Sequence, residues 1–262
     1  MRLLNPYLPV AILLVHAMPG WTQTAVKDPS AVGALNAAIN AAGGALALSP
    51  IQDFTASGTI TYFWGLEPIQ GSATVKARGY DQFRLDANLP EGIRSYALSH
   101  GQGALKEPDG TLKRIPYHNT VNVGIVTFPY QCIEVRLNDP SMSITDMGLV
   151  TSDAGGQLHR IHAQPHYPSW QDNGTLSKLL AMDYFLDPVT SLVSKTIDAT
   201  HPDQTLTKSF PHATDFENYA VVNGVKVPML VRETIDGQTT WELRLSNISF
   251  NTGLSDADFT LQ

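Results

Sequence analysis

Residues 215–250 constrain the fold more tightly than any other stretch of the chain. Val225, Val227, Met229 and Val231 alternate with Lys226, Pro228, Leu230 and Arg232, the period-two signature of a strand with unlike faces. Asp236-Gly237 follows, and then Trp241, Leu243 and Leu245 alternate with Glu242 and Arg244. Asp-Gly supplies the positive φ that a two-residue hairpin turn needs, and Asn223-Gly224 repeats the device upstream. Two consecutive hairpins predict antiparallel sheet with one face on the core and one in water. Ile248 and Phe250 fall on the opposite phase from Trp241, Leu243 and Leu245. That slip predicts a β-bulge near Ser246-Asn247, which would bend the strand. A bent, strongly twisted antiparallel sheet is the geometry of a barrel or half-barrel.

The preceding chain supports this class. Pro29 to Gly44 predicts a helix, with Ser30 as a cap, Val32, Leu35, Ala38 and Ile39 on one face, and Gly43-Gly44 as its end. From Thr55 to Ile115 the pattern is a meander of about five or six strands. Within it Phe83, Leu85, Ala87 and Leu89 alternate with Arg84, Asp86 and Asn88. Periodicity leaves 117–139 open between strand and helix, and Phe128-Pro129 at its centre favours a helix start. Further hairpins are expected from Ser143–Val150 with Gln157–Ala163, and from Leu179–Leu186 with Ser191–Asp198. The fold class is therefore mainly β (α+β): a curved antiparallel sheet with a few helices packed on or in its concave face.

The first residues read as an export signal. Arg2 precedes the apolar run 8–15, too short to span a bilayer but long enough for a signal-peptide core. Residues 1–24 are expected to be removed, leaving 25–262 as a single domain in the periplasm or outside the cell. No later stretch has transmembrane length. The single cysteine, Cys132, allows no intramolecular disulfide. No cysteine follows the apolar run to accept a lipid, so a soluble rather than lipid-anchored product is expected. The formal charge, 17 − 24 = −7, disfavours a nucleic-acid partner, whose phosphates need a basic surface.

No catalytic constellation stands out. His159, His162 and His166 are the obvious metal candidates, but His159 and His162 point to opposite faces of a strand and do not converge. Cys132 sits among Tyr130, Ile133 and Val135 and reads as a core residue rather than a nucleophile. Gly101-Gln102-Gly103 and Gly155-Gly156 read as turns, not phosphate loops. Asp215 and Glu217 read as a solvated face. Neither a metal nor a cofactor is expected. The apolar faces are the functional candidates: Phe83, Leu85, Ala87, Val225, Val227, Trp241, Leu243 and Leu245 would line a groove on the concave face. Such a groove can hold an acyl chain, at about 0.8 kcal/mol per buried methylene, unless the helices fill it.

The C-terminal third carries a family resemblance. Asp215-Phe216-Glu217-Asn218-Tyr219, Val222-Asn223-Gly224-Val225-Lys226-Val227-Pro228, the following hairpin, and Leu254-Ser255-Asp256-Ala257-Asp258-Phe259 resemble the closing strands of the outer-membrane lipoprotein-carrier (LolA/LolB-like) fold. Asp183–Pro188 resembles that fold's strand and Asp-Pro turn. The likeness covers residues 183–262 and is architectural before them. It implies a half-barrel plugged by helices, with an apolar interior for lipid or lipoprotein acyl chains, and no catalysis. Two alternatives stay open: an envelope structural or interaction protein whose core is filled by its own helices, with a protein partner, and an envelope hydrolase.

Overall fold

The computed structural model describes residues 25–121, 128–152 and 155–261; the expected export signal at 1–24 lies outside them. Strands β1 (Asp53–Tyr62), β2 (Ile69–Arg78), β3 (Gln82–Leu89), β4 (Gly92–Ser99), β5 (Gln102–Lys106) and β6 (Leu112–Ile115) form the first meander. The second comprises β7 (Met142–Thr151), β8 (Gln157–Pro165), β9 (Met182–Leu186), β10 (Val193–Thr200), β11 (Phe210–Val222), β12 (Val225–Ile235) and β13 (Gln238–Phe250). All 13 strands belong to one sheet, in the order β6-β5-β4-β3-β2-β1-β13-β12-β11-β10-β9-β8-β7. Every pair is antiparallel. Among the described strands β6 and β7 stand at the two ends and do not pair with each other, so the sheet is an open half-barrel, with Lys27 bridging Ile144 on β7. The chain runs outward to one edge, crosses to the other, and returns to pair its last strand with its first.

The predicted bulge is at that seam. Ser57 pairs with Asn247 and Gly58 with Leu245, which leaves Ser246 as the extra residue, and its hydroxyl donates to the Ser57 carbonyl at 3.1 Å. The strand closes so tightly that a Cβ on Gly58 would lie 2.0 Å from the Arg244 carbonyl oxygen. Only a residue without a side chain fits there.

Helices α1 (Pro29–Ala41), α2 (Ala45–Leu48) and α3 (Tyr130–Asn138) cover the apolar face, while α4 (Thr175–Leu179) follows the β8 strand. α1 buries Ala31, Leu35 and Ala38 and packs against α3, β7 and β8. Its cap is Asp28 rather than Ser30: the Asp28 carboxylate accepts the Ser30 N–H at 3.0 Å, with Pro29 as the first helical residue. Gly43 ends the helix against β12, where an added Cβ would meet the Gly224 carbonyl oxygen at 2.6 Å. The Lys226 N–H donates to the Ala42 carbonyl at 2.8 Å and ties the two together. At 130–138 the helix prevails over the strand: Tyr130 and Ile133 are buried, whereas Val135 is 42% exposed.

Two further expectations are corrected. Leu179, expected to open a strand, instead ends a helix over 175–179, which the Asp172 carboxylate starts by accepting the Leu176 and Ser177 N–H groups at 2.9 and 2.8 Å; the strand begins at Met182. β12 is not wet on one whole face, since Pro228 and Leu230 are buried. Leu230 lies in register between Glu217 and Arg244, long side chains whose stems can cover it. The motif after β13 is a clamp as well as an ending. Asp53, at the start of β1, is buried and accepts the N–H groups of Thr252, Gly253 and Leu254 at 2.6, 3.1 and 3.1 Å. Burial would raise its pKa, but the Thr252 hydroxyl and those N–H groups outweigh it and hold the carboxyl below its ordinary value. Asp258 caps its own 3₁₀ turn through Ser255 and pairs with Lys76 at 2.7 Å. Asp256 pairs with Arg78, and Phe259 is buried.

A methyl group at position 58 has to push the Arg244 backbone away. Gly58→Ala is therefore expected to cost about 2–3 kcal/mol in urea denaturation. Wild-type stability in that variant would show that the seam can open without loss.

Candidate ligand-binding cavity

The helices fill the concave face incompletely. Between β1, β3, β4, β5 and β6 on one side and β10 to β13 on the other lies a cavity of about 350 Å³. One wall is apolar: Phe83, Leu85, Leu105 and Ile115, with Trp241 beside them. The 3₁₀ turn Tyr117–Asn119 straps the two halves together. The Asn119 side-chain amide donates to the His201 carbonyl at 2.7 Å, and its oxygen accepts the His201 N–H at 3.0 Å. At the margin, Tyr62 and Trp64 stack at 3.9 Å between ring centres. The Arg94 guanidinium lies over Trp64 at 4.1 Å, and its Nε donates to Glu107 at 3.0 Å. Phe63, Trp64 and Leu66 on the β1–β2 turn are exposed.

The opposite wall is polar, and cross-strand register builds it. Asp198 on β10 faces His212 on β11. His212 faces Ile235 on β12, with Glu233 two residues along on the same face. The imidazole is held from both sides: Nδ1 lies 2.5 Å from Asp198 Oδ1 and Nε2 lies 3.0 Å from Glu233 Oε1. The Thr240 hydroxyl donates to the other Glu233 oxygen. Burial works against a charge on His212, but the hydrogen bonds and charges of Asp198 and Glu233 outweigh it and push the imidazole up to about 10. His212 is thus an imidazolium at neutral pH and donates from both nitrogens. The neighbouring Tyr96 phenol is driven well above its ordinary pKa by burial, with the Glu233 charge adding to the effect.

Of the expected groove residues, Phe83, Leu85 and Trp241 line this cavity. Ala87, Val225, Val227, Leu243 and Leu245 do not line it and belong to the buried apolar cluster that also takes in Ala31, Leu35 and Ala38 of α1. The polar wall was missed, although its signal is in the chain: Glu233 continues the phase of Val225, Val227 and Val231 two places further, and His212 shares the phase of buried Phe216. A charged residue in step with an apolar face marks either the end of the core or a polar site within it. The histidines of β8 hold separate partners, His159 with Asp146 at 2.7 Å and His162 with Asp183 at 2.8 Å. Cys132 is buried, which pushes its thiol up to about 12 and leaves it a poor nucleophile.

The imidazolium has a consequence for stability. In the unfolded chain a histidine loses its proton near about 6.5, whereas His212 keeps it up to about 10 in the fold. The folded state holds the extra proton in between, so this contribution is complete below roughly pH 6.5 and is lost as the pH rises toward about 10. Melting temperature is expected to fall across that window, and His212→Gln to flatten the fall. Parallel slopes in the two proteins would mean that the imidazole is not charged in the fold.

No protein-family model matches the chain, and no curated protein matches it significantly. Solved structures do. A domain described as an outer membrane lipoprotein-sorting protein domain from Vibrio parahaemolyticus superposes with a TM-score of 0.52 at 15% identity, covering 79% of this chain and 88% of its own. A DUF1329 family protein from Desulfovibrio piger gives 0.56 at 12% identity, over 87% of this chain and 96% of its own. A LolA superfamily protein from Nitrosomonas europaea gives 0.53 at 11% identity, over 88% and 97%. Likeness at such low identity speaks to architecture alone, and what it establishes is that the chain has the LolA-like half-barrel fold.

Proposed function

We propose that this chain is a bacterial envelope protein, periplasmic or secreted, that binds a hydrophobic ligand in its half-barrel and does no chemistry on it. The observation that carries the reading is the cavity of about 350 Å³ with its wall of Phe83, Leu85, Leu105, Ile115 and Trp241. That volume lies within the range of small-molecule sites. About ten methylenes of an acyl chain, each worth about 0.8 kcal/mol, would gain roughly 8 kcal/mol before ordering costs. The name of the Vibrio parahaemolyticus domain, a lipoprotein-sorting protein, supports lipid or lipoprotein acyl chains as the ligand class. Binding without turnover agrees with a polar wall in which both nitrogens of His212 are committed to carboxylates. Residues 25–262 then act as one binding domain, exported by the segment 1–24.

A second reading is an envelope interaction protein with a self-filled core, acting through a protein partner. It is favoured by the five expected groove residues that lie in the buried apolar cluster rather than on the cavity wall. Native mass spectrometry of the mature protein, purified without detergent and then extracted with organic solvent, separates the two. A bound mass lost on extraction is expected. An apo mass with no uptake of added fatty acid, phospholipid or lipopeptide would favour the interaction protein. Trp241→Arg, checked for folding by circular dichroism, is expected to weaken binding of a fluorescent acyl probe at least about tenfold. Unchanged binding by the folded variant would remove Trp241 from the site.

A further inference from the structure

The cavity discriminates between the polar ends of amphiphiles as well as accepting their tails. Its polar wall carries two carboxylates, Asp198 and Glu233, and one imidazolium, His212, between them. The sum is one excess negative charge. The remaining cation of the lining, Arg94, is already answered by Glu107 at 3.0 Å and lies stacked on Trp64. Glu107 in turn also holds Lys113 at 3.3 Å.

Hydrogen-bond capacity points the same way. Both His212 nitrogens donate inward, to Asp198 and Glu233, and the Thr240 hydroxyl is spent on Glu233. Neither ring N–H of His212 is left to offer a ligand, and the other imidazole of the lining, His118, has its Nε2 3.3 Å from the Pro202 carbonyl. What the wall retains is acceptor capacity, because each carboxylate oxygen has two lone pairs and the known partners use only some of them. Asp198 Oδ1 and Glu233 Oε1 each receive His212, and the other Asp198 oxygen belongs to a side chain only 8% exposed. An anion placed against these two carboxylates would meet like charge at low dielectric; donors of the lining such as the Tyr62 and Tyr96 hydroxyls and Arg94 belong to other strands. A hydroxyl or ammonium group would donate to the carboxylate oxygens instead.

Resting on the reading of this cavity as an acyl-chain site, we propose that its ligand carries a hydrogen-bond-donating head without negative charge, an amine or a hydroxyl, read by the Asp198 and Glu233 carboxylates, with His212 as the residue that positions both. The tail lies along the Phe83, Leu85, Leu105 and Ile115 wall opposite.

Four probes with one chain length test this: dodecylamine, dodecanol, laurate and dodecyl phosphate. Each displaces a fluorescent acyl probe from the mature protein near neutral pH. The amine and the alcohol are expected to bind about tenfold more tightly than the two anions. Glu233→Gln and Asp198→Asn, which keep the shape and remove the charge, are expected to bring all four within about threefold of one another, chiefly by improving the anions. Laurate or dodecyl phosphate binding as well as the amine in the wild type would overturn the proposal, and would point to Arg94 as the reader. That comparison needs no variant, so a variant that fails to fold leaves the test intact. Four equal affinities would overturn head selection alone and keep the acyl-chain site. Binding of none of the probes would overturn both.

Discussion

The half-barrel depends on the pairing of its first strand with its last. Each meander could form from neighbours in the chain, but only β1 against β13 makes them one sheet. Phe54 must meet Phe250 and Tyr62 must meet Trp241, contacts whose loop closure is entropically costly and slow to find. Several features reduce the freedom of that seam once it forms. The Ser246 bulge bends β13 around β1, and Gly58 lets the two backbones come together. Asp53 then gathers three successive N–H groups beyond β13, and Lys76 and Arg78 hold the acidic turn that follows. The C-terminal acidic motif is thus a lock on the seam.

From the seam follows the cavity. A strongly bent sheet has a concave face deeper than its helices can fill. The end of α1 closes on the start of β12, through the Ala42–Lys226 hydrogen bond and the close approach at Gly43. At the other end the same strands continue past the helices, and there the inward positions change from Val225, Val227 and Val231 to Glu233, and from Phe216 to His212. Charges on an inward face are costly unless paired. Here the imidazolium sits between two carboxylates, which makes the wall tolerable and leaves it acceptor-rich. The shape of the site and its polarity therefore have one cause, strands longer than the helices that cover them.

Much of this architecture was readable from local pattern. Alternation in 225–231 and 241–245, the Asn223-Gly224 and Asp236-Gly237 turns, and the phase slip after Leu245 are properties of neighbouring residues, and the hairpins and bulge are where they place them. The helix at 175–179 was missed because its initiating carboxylate, Asp172, lies within a stretch whose Pro, Asn and Gly content reads as loop. The groove residues were legible as apolar and inward, which Phe83, Ala87, Val227 and Leu243 all are. Which of them face space and which face a helix was not, since alternation reports the side of a sheet and says nothing of what lies against it.

The sequence by itself determined the β class, the hairpin registers and the inward phase of each strand, because side-chain alternation and turn chemistry act within a few residues. Tertiary structure alone decided that β1 joins β13, that the end of α1 is tied to β12 at Lys226 while Trp241 lines the cavity, and that Asp198, His212 and Glu233 meet at one wall. Those three residues come from three strands, and their proximity follows from register across the sheet. The charge on His212 is likewise a property of its neighbours in space: an isolated histidine is mostly neutral at pH 7, and two carboxylates brought to its ring nitrogens keep it protonated.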